Sequence, residues 1–134
     1  MQTGSFPAIE LPGLAALRTV DRPAGHRFPA RRQMQFVELT SRGSDRLLRL
    51  DLFDASGAGG MDAVLRVLRD ALHSAEPRQV EPERTQDGAL LWSWRGVRLI
   101  GAGRWVAQLR NAGTGDLDLD AFVPPVLNAL RRAG

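Results

Sequence analysis

The chain contains no cysteine and no lysine among its 134 residues. Without cysteine there are no disulfides, no thiolate nucleophile and no cysteine-held zinc or iron-sulfur site, although nothing follows about the redox compartment. Without lysine, all 18 basic residues are arginine, and they face 15 acidic residues for a formal net charge of +3. The sequence pI of about 11.1 is a consequence of that choice. Guanidinium does not deprotonate in proteins, so the titration curve stays shallow up to very high pH, and the pI is no argument for nucleic-acid binding. Long apolar runs are missing too. No stretch approaches the roughly 18 apolar residues that a membrane-spanning helix needs. The opening MQTGSFPAIELPGL has no basic segment ahead of an apolar one, so no membrane insertion is expected. A cytoplasmic protein is the expectation, with an extracytoplasmic place open if a signal peptide preceded this chain.

The chemistry-bearing patterns are also thin. Between an apolar run and a helical one lies Gly57-Ala58-Gly59-Gly60, but a dinucleotide fingerprint begun at Gly57 would need glycine where Asp62 stands. Begun at Gly101, it would need glycine at Val106. A phosphate-binding loop requires lysine, which the chain lacks. Asp116, Asp118 and Asp120 alternate as in a calcium loop, yet Ala121 and Leu127 occupy the places of its glycine and its bidentate glutamate. The two histidines, His26 and His73, fall in a proline-rich stretch and on the polar side of a helix, and Ser44 and Ser56 belong to turns. No catalytic residue, metal site or cofactor is expected from these patterns. Whether the chain is an enzyme stays open, with a non-enzymatic role preferred.

What is present is an amphipathic α+β pattern. An apolar content of 43% with 25% charged residues belongs to one globular domain. Residues 1–33 carry Pro7, Pro12, Pro23 and Pro29 with Gly4, Gly13 and Gly25. That density of breakers excludes a long helix or a central strand and predicts an irregular arm, with room for a short helical element or an edge strand over residues 14–20. Arg27, Arg31 and Arg32 around His26 and Phe28 give this arm a basic patch. Residues 34–134 form the predicted domain. It opens with two strands joined by a turn at residues 41–45, the second alternating Leu48, Leu50 and Leu52 with Arg49 and Asp51. A helix follows over residues 61–74, where Met61, Val64, Leu65, Leu68, Ala71 and Leu72 recur at helical spacing. A proline-containing loop comes next, with one short strand expected at residues 78–80. The last helix begins near Val123, with Pro124 and Pro125 in its first turn, where missing amides cost least.

All three tryptophans fall in residues 87–111, DGALLWSWRGVRLIGAGRWVAQLRN. Arg95-Gly96 and Gly101-Ala102-Gly103 divide this stretch into three strands of a meander. Alternation puts Trp92 and Trp94 on one face, and Trp105, Ala107 and Leu109 opposite Arg104, Val106, Gln108 and Arg110. The fold expected is therefore one antiparallel sheet of about five strands, in the order β-β-α-β-β-β-α, with both helices on the tryptophan face. That order resembles the one in profilin-like modules such as the roadblock and longin domains, and in some small bacterial lipoprotein and photosystem-associated domains. The resemblance spans residues 34–132 and implies a topology only, because no motif residue carries over and fold does not imply function.

A sheet covered on one side leaves Arg49, Arg98, Arg104 and Arg110 on the other, with Val106 as an apolar island among them. An interaction or assembly module using this arginine-rich face, toward a protein partner or a second copy, is the leading expectation. The alternative is a small-ligand or enzymatic domain with a pocket between the helices and the face bearing Trp92, Trp94 and Trp105. Anionic-polymer or nucleic-acid binding ranks third, since no aromatic residue interleaves the arginines to stack bases.

Overall fold

The computed structural model describes residues 6–25, 29–38, 46–57, 59–72 and 82–133. It is an α+β structure with one antiparallel sheet. The strands are β1 (Leu14–Arg22), β2 (Arg31–Glu38), β3 (Leu47–Asp54), β4 (Glu83–Arg84), β5 (Leu90–Trp94), β6 (Val97–Ala102) and β7 (Trp105–Asn111). Helix α1 (Met61–Leu72) follows β3, and a 3-10 turn (Leu119–Phe122) leads into helix α2 (Val123–Ala133). The seven strands lie in the order β1-β2-β3-β7-β6-β5-β4.

Local chemistry accounts for the element ends. Arg95 and Gly96, with φ of 37° and 59°, make the two-residue turn between β5 and β6 with the left-handed backbone that such hairpins require. The next turn is Gly103-Arg104, with φ of 61° at Gly103, so Gly101 and Ala102 belong to β6 and Arg104 belongs to the turn. Asp62 lies in the first turn of α1, where a carboxylate suits the helix dipole. Asp118 caps the 3-10 turn by accepting from the Asp120 amide at 3.2 Å. Pro124 and Pro125 sit in the first turn of α2, and Arg131 and Arg132 in its last, the placement that the dipole favours for cations.

The two helices pack on opposite faces of the sheet, which corrects the expectation that both cover one face. Val126, Leu127 and Leu130 of α2 share a core with Leu48, Leu50, Leu52, Ile100, Ala107 and Leu109. Val64 and Leu65 of α1 share a separate core with Phe53, Leu90, Trp92, Leu99 and Val106. These sets take alternate positions along β3, β6 and β7, and alternate positions point to opposite sides of a sheet. Leu99 and Ile100 are therefore both fully buried although they are neighbours. Each such side chain contributes roughly 1.5–3 kcal/mol of burial.

The strand count of about five is corrected to seven. β1, of 9 residues, lies within the stretch expected to be irregular, over the run where an edge strand had room, and forms the sheet's outer strand. Its alternation is hidden in the sequence because a bulge between Ala16 and Arg18 shifts the register, so Leu17 falls outside the period of two. The other addition, β4, is only two residues long. Residues 6–12 cross the α2 face without regular structure, with Leu11 buried against it and the Phe6 ring 5.4 Å from that of Trp105. Among the described residues no helix is long and apolar enough to cross a membrane. Of the expected basic patch, Arg31 and Arg32 open β2 and Arg32 pairs with Asp21 at 2.7 Å, whereas His26, Arg27 and Phe28, the turn at residues 41–45, His73 and the strand at residues 78–80 lie outside the described residues.

Candidate functional site

Helix α1 is short relative to the sheet and covers only part of its side. Reading the registers across the strands places three rows on that face. The first runs Arg18, Gln35, Arg49, Arg110, Val97, Trp94. The second runs Val20, Gln33, Asp51, Gln108, Leu99, Trp92. The third runs Arg22, Arg31, Phe53, Val106, Gly101, Leu90. The β5, β6 and upper β7 ends of these rows are apolar and meet α1. Met61 of α1 lies so close over Gly101 that a Cβ there would stand 2.7 Å from the Met61 Cγ and Sδ. Phe53 of β3 joins that α1 core, whereas among the described residues no helix lies over the rest of the β1, β2 and β3 ends or over Gln108 and Arg110 of β7.

Among the described residues that open half carries Arg18, Arg22, Arg31, Arg49 and Arg110 and one carboxylate, Asp51. Asp51 is buried at 3% exposure and Gln108 at 8%. The Asp51 carboxylate accepts from Arg49 Nε at 3.1 Å, and Arg22 Nε donates to Gln33 Oε1 at 2.8 Å. Among the described residues no carboxylate pairs with Arg18, Arg22 or Arg110. A shallow depression of about 160 Å³ lies among Arg18, Val20, Arg22, Gln33, Gln35 and Arg49. The strands from β1 to β7 are three inter-strand spacings apart, so the charged surface is about 14 Å wide.

Only part of the expected arginine face is assembled in this way. Arg49 and Arg110 are direct cross-strand partners. Arg98 lies on the α2 face, where its Nε donates to Asp120 at 2.7 Å. Arg104, in the β6-β7 turn, pairs with Asp54 through Nε at 3.1 Å and stacks 4.7 Å from the Trp105 ring. Val106 is fully buried under α1 beside Val64 and Leu65, so it is core and not an apolar island among arginines. Sequence reading passed over Arg18, Arg22, Gln33 and Gln35, since they belong to the strand that the bulge hides and to its neighbour, and it placed Arg31 in a basic patch of an irregular arm.

The tryptophans do not share a pocket. Trp92 and Trp94 lie under α1, with ring centroids 6.1 Å apart, whereas Trp105 lies on the α2 side against Phe6. A cavity of about 330 Å³ opens on the α2 side near Glu83, Leu91, Ser93, Arg98, Ile100 and Asp120; Arg98 and Asp120 neutralise each other, and Glu83 adds a further carboxylate.

The perturbed carboxylates lie outside the open half. A hydrogen bond from Arg32 lowers Asp21 below the usual carboxylate range, and one from Arg98 lowers Asp120. Burial pushes Asp54 up, but hydrogen bonds from Arg104 and Ser56 outweigh it and leave the group lowered. Asp87 is lowered by its bond from Thr85, against some desolvation and with help from Arg131. Each is held in its ionised form by local partners, as in structural ion pairs, whereas a general acid needs a raised value. Among the described residues no group of three or more His, Asp or Glu side chains is arranged to hold a metal ion. No protein-family model matches this chain, and no curated protein or solved structure does either.

Proposed function

We propose that the protein is a non-enzymatic interaction module that holds an acidic protein partner against the open half of its α1 face. The observation that carries this reading is the alignment of Arg18, Arg49 and Arg110 in one row and of Arg22 and Arg31 in another, with Asp51 as the only carboxylate among the described residues there. Guanidinium groups pair bidentately with carboxylates, and strands hold them at fixed spacing, so less order has to be imposed on binding. Gln33, Gln35 and Gln108 add donors and acceptors without adding charge. Among the described residues the open half exposes no aromatic side chain on which a base could stack, Phe53 being buried in the α1 core, which favours a protein over a single-stranded nucleic acid. Isologous self-association through this patch would set arginine against arginine, so a second copy is disfavoured at this surface.

Fluorescence anisotropy with an acidic peptide of alternating Glu and Ser, set beside a single-stranded oligonucleotide of equal charge, tests the reading. The expected result is peptide binding that weakens with salt and is lost in the double variant Arg49→Glu, Arg110→Glu. Indifference of the double variant, or binding of the oligonucleotide alone with a steep salt slope, would overturn it.

A further inference from the structure

We infer that the partner engages by adding a strand to the free edge of β1, and that this edge selects an extended segment of the form acid, any residue, small apolar, any residue, acid. The inference rests on the proposed acidic partner and specifies how it is bound. β1 is the terminal strand of the sheet and, among the described residues, pairs only with β2. From Arg18 to Arg22 the pairing is regular, so the outer edge of these residues offers backbone donors and acceptors in the geometry that another strand requires. The opposite edge of the sheet, β4, is two residues long and offers no such run.

The side chains along this edge narrow the occupant. Arg18, Val20 and Arg22 point to the α1 face and Thr19 and Asp21 to the other, where Asp21 is taken by Arg32 at 2.7 Å. An added strand would therefore meet positive, apolar and positive side chains on one face. Directly opposed residues in neighbouring antiparallel strands sit about 5 Å apart, close enough for a carboxylate to meet each guanidinium and for a β-branched side chain to cover Val20. The acid-apolar-acid pattern is the same read in either direction, so it suits parallel and antiparallel addition alike.

The same residues refuse a second copy. Two-fold pairing of β1 with itself, centred on Val20, would oppose Arg18 of one chain to Arg22 of the other at both ends. The bulge at Ala16/Arg18, with Leu17 at 58% exposure, stops a longer strand from docking further along. Like charges and a bulge are the devices by which edge strands avoid indiscriminate pairing. Here they leave an opening for an acidic strand of about the length of the regular segment.

The test uses the whole protein and a labelled peptide, Ser-Gly-Glu-Thr-Val-Thr-Glu-Gly-Ser, with two kinds of relative. One carries N-methyl groups on alternate backbone amides of the central five residues, in both possible phases, and the other has lysine in place of both glutamates. The parent peptide is expected to bind, to protect β1 amides from hydrogen exchange, and to lose about tenfold or more in affinity when the amides facing β1 are methylated, as expected for lost backbone hydrogen bonds. The double variant Arg18→Glu, Arg22→Glu should lose the glutamate peptide and gain the lysine peptide, a reversal that an unfolded protein would not show. If both methylated forms bind like the parent, or if β1 gains no protection, strand addition is overturned while the acidic-partner reading stands. If neither this peptide nor the alternating Glu and Ser peptide binds, both fall.

Discussion

Replacing Val106 by alanine separates the two-sided sheet from the one-sided sheet that alternation suggests. Val106 is fully buried in the core shared by Val64, Leu65, Leu99 and Phe53, whereas Arg110, four residues along the same strand and on the same face, lies in the open half. Truncation removes two methyl groups at about 0.8 kcal/mol each and leaves a small cavity that a central strand and α1 cannot close, for a total of about 2–3 kcal/mol. With 134 residues and an unfolding entropy near 2.1 cal/mol/K per residue, the midpoint should fall by roughly 7–11 °C. Arg110→Ala should stay within about 0.5 kcal/mol, or about 2 °C, because no ion pair or packed core is lost. Thermal unfolding followed by circular dichroism, repeated in urea to check that the slope is unchanged, measures both. Equal and small effects from the two would mean that α1 does not cover Val106 and that the reasoning on opposite faces is wrong.

Further outcomes follow from the same packing. Gly101→Ala should cost about 1–3 kcal/mol, since Met61 must leave its rotamer to admit a methyl group, and Met61→Ala in the same chain should recover part of the loss in a double-mutant cycle. Val67, 61% exposed on α1, should accept lysine within about 0.5 kcal/mol by urea unfolding. Asp21, Asp54 and Asp120 are lowered in the folded state, so their stabilisation is complete above the unfolded carboxylate value of about 3.9 and drains away as the pH falls through and below it. Stability should therefore be flat from about pH 5 to 8 with respect to these groups and fall below about pH 4. Asp54→Asn should lower the plateau and flatten that fall; an unchanged acid limb would remove Asp54 from the account.

The elements with a strong internal period were legible in the sequence. α1 was expected over residues 61–74 and spans Met61–Leu72, and α2 was expected near Val123 and starts there. The hairpin of β2 and β3 and the meander of β5, β6 and β7 were likewise visible in alternation. The second covered face was signalled but misread. Leu99 beside Ile100 and Trp105 beside Val106 are adjacent apolar pairs, and adjacent apolar residues in one strand mean that both sides are covered. Assuming one covered face forced one member of each pair toward water and carried Val106 into the proposed site. Arg98 and Arg104 went astray for a different reason: their carboxylate partners, Asp120 and Asp54, are 22 and 50 residues away, a separation that local pattern does not encode. The open half was only partly legible because two of its five arginines, Arg18 and Arg22, lie beyond the bulge in β1.

The measurement that bears most directly on the central claim is a residue-resolved titration. In a series of amide correlation spectra, increasing amounts of the acidic peptide should shift Arg18, Gln33, Gln35, Arg49 and Arg110 along a common binding curve. Arg98, Arg104 and the residues of α2 should stay still. Shifts centred on the α2 side, at Leu91, Ser93 and Val123, or no saturable shifts at all, would contradict the assignment of the open half of the α1 face as the binding surface.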